Sequence, residues 1–117
     1  MKRYFGNWSD VDDVNRDFGD YGDSPTKELV KDEEILFAAY STPSYEGYAF
    51  VVLERDGDLY EVNGSHCSCM GLENQWDLEK TSWKALAMRD LHSYEEWDQE
   101  AVDAFKALVA EHTKGAF

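Results

Sequence analysis

The sequence predicts an α+β domain: a three-stranded antiparallel meander preceded by one or two helical segments and followed by two helices that pack on it. Three observations carry this. Apolar residues recur at helical spacing near the start, Glu34 opens a run of β-type segments joined at Asp56-Gly57, and helical spacing returns after Thr81. At 117 residues the chain fits one domain, 1–117. It divides into an acidic segment 1–33, a meander 34–63, a loop 64–80 and a helical pair 81–113.

Ser9 and Asp12 have capping-box spacing, and Val11, Val14 and Phe18 follow at helical intervals before Gly19, which predicts a helix from about Asp10 to Phe18. Ser24-Pro25 can open a further helical turn through about Lys31, although Gly22 and Pro25 also suit a loop. Strands follow near 34–41, 47–54 and 58–63. The Asp56-Gly57 pair supplies the positive φ angles of a tight hairpin. Tyr48, Phe50 and Val52 share one face of the second strand, and Ala49, Val51 and Leu53 share the other. Two apolar faces predict helices on at least one of them. Charge at Glu54, Arg55, Asp56, Asp58 and Glu61 surrounds the hairpin and discourages edge association. Thr81 or Ser82 caps a helix through about Asp90, with Trp83, Leu86 and Ala87 inward. Ser93 and Glu96 form the clearest capping box, opening a helix to about His112 whose stripe is Trp97, Ala101, Phe105 and Leu108.

A hydrophobic fraction of 43% with 15% aromatic residues is that of a folded protein, while a net charge of −14 sets its partners. Such charge opposes approach to DNA, RNA or an anionic membrane and favours basic protein surfaces or metal ions. No apolar run reaches the ~18 residues of a membrane helix and MKRYFGNWSD has no signal-type apolar core, so the expected compartment is the cytoplasm. A bridge between Cys67 and Cys69, one residue apart, would close a strained ring; reduced thiols are expected.

The stretch EVNGSHCSCMGLENQW, Glu61 to Trp76, concentrates both cysteines and one of three histidines. His66, Cys67 and Cys69 are ligand types that suit Zn²⁺, with His92, His112 or a carboxylate such as Glu73 as a fourth. Yet structural zinc sites use two separated pairs, and the chain has no second one. A thiolate nucleophile would need His92 or His112 brought to it, in surroundings whose negative charge raises a thiol's pKa. The plain reading is stronger: Asn63-Gly64-Ser65 is turn chemistry after a strand, and Met70, Leu72 and Trp76 seal a loop on the core. No phosphate-binding glycine loop, nucleophile elbow or His-Glu-x-x-His is present. The abundant paired carboxylates lack specificity, so no catalytic residues are expected.

The remaining candidate is distributed acidity. Asp10, Asp12, Asp13, Asp17, Asp20 and Asp23 crowd the first segment, and Glu95, Glu96, Asp98, Glu100 and Asp103 crowd the last helix. Side by side, these rows would imitate a duplex, which carries one charge per ~1.7 Å of axis, and fit a basic nucleic-acid groove. Apart, they are ordinary solvation.

The block from Glu61 to Trp76, with Asn74 where a Gly is expected, and TSWKALAMRDL from Thr81 to Leu91 resemble small bacteriophage and prophage proteins that share an EVNGSHCSCxGLExQW core. That family carries no established activity, so the resemblance implies a genomic setting and no mechanism. In a phage setting the expected function is non-enzymatic: binding and inhibiting a host protein with a basic, nucleic-acid-binding type of surface, such as a defence nuclease, a CRISPR effector or a polymerase. A metal- or thiol-dependent site on His66, Cys67 and Cys69 is the alternative, and a virion or assembly component is a third.

Overall fold

The computed structural model describes residues 2–19, 28–42, 46–66, 71–73, 75–88 and 99–113. Its elements in chain order are β1 (Tyr4–Gly6), α1 (Val11–Phe18), β2 (Ile35–Ser41), β3 (Gly47–Arg55), β4 (Asp58–His66), β5 (Glu79–Lys80), α2 (Trp83–Ala87) and α3 (Gln99–Thr113), with a single 3-10 turn at Asp32–Glu34 before β2. The strands form one five-stranded sheet in the order β1-β2-β3-β4-β5. β1 runs parallel to β2, and every other pair is antiparallel.

This corrects the expected three-stranded antiparallel meander. The meander exists as β2-β3-β4, but β1 joins it in parallel on one side and β5 on the other. β4 also continues to His66 rather than turning at Asn63-Gly64-Ser65. Gly64 allows this, because a Cβ there would meet Leu72 Cδ2 at 2.9 Å and Phe18 Cε1 at 3.3 Å. The glycine serves close packing and not a turn.

At the hairpin, Asp56 and Gly57 take φ of 55° and 84°, the conformation that a two-residue connection matched to strand twist requires. Helix α1 begins one residue later than the spacing predicted. Asp10 is the cap, accepting from the Asp13 N–H, while the Asp13 carboxylate accepts from the Ser9 N–H. In α2, Ser82 caps through the Ala85 N–H and Leu86 is buried, but Ala87, expected inward, is exposed. The buried side of α3 is Ala101, Val102, Phe105 and Val109, with Leu108 at its margin. Of the helical turn predicted at 24–31, residues 24–27 lie outside the described residues, as do Ser93, Glu96 and Trp97, and 28–31 is irregular rather than helical.

Both sheet faces are covered. Ala38, Tyr40, Ala49, Val51, Leu53 and Val62 pack against Trp8, Val14, Phe18 and Leu72 on the α1 side. Phe37, Ala39, Phe50 and Val52 pack against Leu86, Ala101, Val102, Phe105 and Val109 on the α2–α3 side. A bulge between Ile35 and Phe37 puts Leu36 and Phe37 on that same side. Full burial of such side chains contributes about 1.5–3 kcal/mol each, which makes the two-sided sheet the main source of stability. Among the described residues no helix is long and apolar enough to cross a membrane.

Candidate functional site

The extension of β4 carries His66 to the end of the sheet on the α1 side. Its Cα partner on β3 is Gly47, and the imidazole occupies the space that a Cβ on Gly47 would fill. The ring is thereby held toward β2, where Nε2 lies 2.5 Å from the Tyr40 hydroxyl. Strand register explains the meeting: Tyr40, Ala49 and Gly64 lie across from one another, and His66 stands two residues beyond Gly64 on the same face.

Tyr40 sits in an aromatic and acidic setting. Trp8 packs on it with ring centroids 5.2 Å apart, and the Trp8 Nε1–H donates to Asp17 Oδ2 at 2.8 Å. Burial pushes the Tyr40 pKa up, and the carboxylates of Asp17 and Glu73 add to the effect. Tyr40 is therefore held as a neutral phenol, able to donate to or accept from His66 but unsuited to act as a base or nucleophile. Behind this pair, the Ser65 N–H donates to Gln75 Oε1 while Gln75 Nε2 donates to the Gly71 carbonyl, stitching 71–75 to β4.

This arrangement gives His66 an orientation and a partner. Among the described residues no three His, Cys, Asp or Glu side chains are placed to hold a metal ion. Cys67, Cys69 and His92 lie outside the described residues. A metal at His66 Nε2 would have to displace Tyr40. Of the other expected ligands, Glu73 is on the α1 side near Tyr40. His112 is across the sheet, stacked on Trp83 at 4.0 Å with Nδ1 2.9 Å from the Leu108 carbonyl. It cannot serve His66 without unfolding the layer between them.

The acidic candidates separate in the same way. Asp10, Asp12, Asp13 and Asp17 belong to α1 and its cap, on one side of the sheet, whereas Glu100 and Asp103 lie on α3, on the other. Asp20, Asp23, Glu95, Glu96 and Asp98 lie outside the described residues. The described members of the two rows are not side by side. Several have local tasks: Asp10 caps α1, Asp17 holds Trp8, and Asp103 accepts from Gln99. Asp13 binds the Ser9 N–H and Arg16, which together keep its carboxyl below the usual range.

Sequence reasoning missed Tyr40, Gly47 and Trp8. Register counted outward from the Asp56-Gly57 turn could have found the first two. Composition also placed Glu61 among the charges around the hairpin, whereas Glu61 is 1% exposed, opposite Val52, and accepts from Asn63 Nδ2 at 2.9 Å. Comparison with protein-family models, curated proteins and solved structures gives no match for the chain.

Proposed function

We propose that the chain is a non-enzymatic binding protein whose acidic surface engages a basic surface on another protein, in keeping with inhibition of a bacterial host factor by a phage-type protein. The observation that carries this reading is the fate of its cations. Lys2 pairs with Glu100, Arg3 with Asp32, Arg16 with Asp13, Arg55 with Glu34 and Lys80 with Asp58. Five of the eleven lysines and arginines are thus paired locally, and the net charge of −14 acts on the surroundings. Such a field raises the encounter rate with a cationic partner and fades over about 8 Å at physiological salt. The proposal relies on surface charge and not on one acidic row, since the described acids of α1 and α3 lie on opposite sides.

The test is affinity capture from bacterial lysate with a salt gradient. Basic proteins retained at low salt and released as salt rises are expected, with weaker capture by Asp12→Lys, whose side chain is exposed on α1. Empty capture at low salt, or partners indifferent to salt, would count against it.

A further inference from the structure

β2 is matched by a long strand on one side and by a short one on the other. β3 pairs with it from Ile35 to Ser41, whereas three-residue β1 pairs only with Ala38, Ala39 and Tyr40. Residues around β1 finish the cover. Arg3 Nη1 donates to the Ile35 carbonyl at 3.0 Å, the Ala38 N–H donates to the Arg3 carbonyl at 2.9 Å, the Asn7 N–H donates to the Tyr40 carbonyl at 2.8 Å, and Asn7 Nδ2 donates to Thr42 Oγ1 at 2.8 Å. Residues 3–7 thus occupy the outer edge of β2 from one end to the other. Beneath them lies ILFAAYS, a seven-residue strand with no charged side chain, the kind of edge that pairs with another chain when it is open.

Carboxylates hold this cover down. Asp32 accepts a fork from Arg3 on both oxygens, at 2.9 and 3.0 Å, and the Tyr4 hydroxyl at 2.6 Å. The Tyr4 bond, and after it the Arg3 bond, keeps its carboxyl below the usual range. Lys2 reaches over the Phe5 ring to Glu100, and just past the strand Trp8 and Ser9 are tied to Asp17 and Asp13. The Asp32 and Glu100 side chains are more than half exposed, so both pairs weaken as salt screens them. The nine-residue strands β3 and β4, in contrast, are joined by a neutral backbone ladder. Apolar contact opposes release, since Phe5 is stacked on Phe37, and the cover is shut in most molecules at low salt.

We infer that residues 3–7 are a releasable cover, latched at Asp32, over a self-association edge, and that two copies of this chain pair through antiparallel β2 strands when the cover lifts. A second copy is the occupant because Ile35–Ser41 is uncharged: set antiparallel against itself, it brings no like charges opposite each other. At low salt the net charge of −14 keeps two copies apart. Salt therefore acts twice in one direction, loosening the latch and screening the repulsion. This pairing grows with salt, whereas capture of a basic partner fades with it, so the two readings stand or fall separately.

The test is sedimentation and residue-resolved amide exchange of the whole chain in sodium chloride from about 0.05 to 1 M, for the parent and Asp32→Asn. In dilute protein, exchange at Ala38 and Asn7 is expected to quicken with salt, and by about fivefold in Asp32→Asn, with Val51 and Val62 unmoved. As protein concentration rises, a dimer is expected in which the Ala38 amide slows again, bonded to the second copy, while Asn7 on the lifted cover stays fast. A monomer at every salt concentration overturns the inference, as does a dimer in which Asn7 is protected together with Ala38. Quickening at Val51 and Val62 alongside Ala38 is unfolding of the whole sheet and equally refutes a separate cover. A dimer that forms to the same extent in parent and variant refutes the latch at Asp32. If Asp32→Asn does not fold, the parent's salt series decides the matter alone.

Discussion

The two faces of the sheet are held by different means. On the α2–α3 side, Phe5 stacks on Phe37 at 5.3 Å, Phe37 contacts Phe50 at 6.2 Å, and Phe105 meets Phe37 and Phe50 at 5.5 Å each. On the α1 side Phe18 packs between Trp8 and Trp76, and three aromatic groups have polar ends that are tied off: Trp8 to Asp17, Tyr4 to Asp32 at 2.6 Å, and Tyr40 to His66. The buried Asn15 accepts from the N–H groups of Leu29 and Val30 and donates to the Val30 carbonyl. The difference follows from what each face must cover. A fifteen-residue helix satisfies its own backbone and needs only shape to dock, whereas the irregular 28–31 segment must find partners for its peptide groups in side chains.

The sharpest way to break this comparison is at its two centres. Phe105→Ala should cost about 3–5 kcal/mol, measured by denaturant unfolding, because it empties the centre of the aromatic cluster on that face. Asn15→Ala should cost roughly 2–4 kcal/mol, since a buried donor, a half-buried donor and an acceptor lose their partner, and faster amide exchange at Leu29 and Val30 should accompany it. If Asn15→Ala proves silent, the α1 face is also held by shape alone. The smallest effect concerns Glu34, whose carboxyl is held below its ordinary 4.5 chiefly by the hydrogen bond from Arg55. A depressed carboxyl contributes its full stability above the unfolded value and loses it as pH falls through the folded one. Glu34→Gln should therefore cost about 1 kcal/mol at about pH 7, and the gap from the parent should close in thermal melts as pH falls below 4.5 and through the depressed folded value.

What the sequence revealed depended on how local the cause was. The 11, 14, 18 spacing and the Asp56-Gly57 pair act within a few residues, so α1 and the hairpin were legible. β1 is three residues long, and its state is decided by Ala38 to Tyr40, far along the chain; two-residue β5 depends likewise on Tyr60 and Glu61. Asn63-Gly64-Ser65 misled because turn composition was serving close approach to Phe18 and Leu72. At the candidate site, His66 drew notice by residue type, while Tyr40 reads as an ordinary core tyrosine until strand register sets it beside the imidazole.

The parallel pairing of β1 also bears on how the chain is made. Synthesis delivers Tyr4, Phe5 and Gly6 before Ala38, Ala39 and Tyr40 exist to receive them. At ribosomal rates the wait is on the order of a few seconds, during which an apolar, strand-forming tripeptide is unpaired. After Asn7 and Trp8 the chain brings Asp10, Asp12 and Asp13, and charges flanking such a segment keep it from pairing with other nascent chains. The acids that later cap and brace α1 thus act first as gatekeepers for the strand before them.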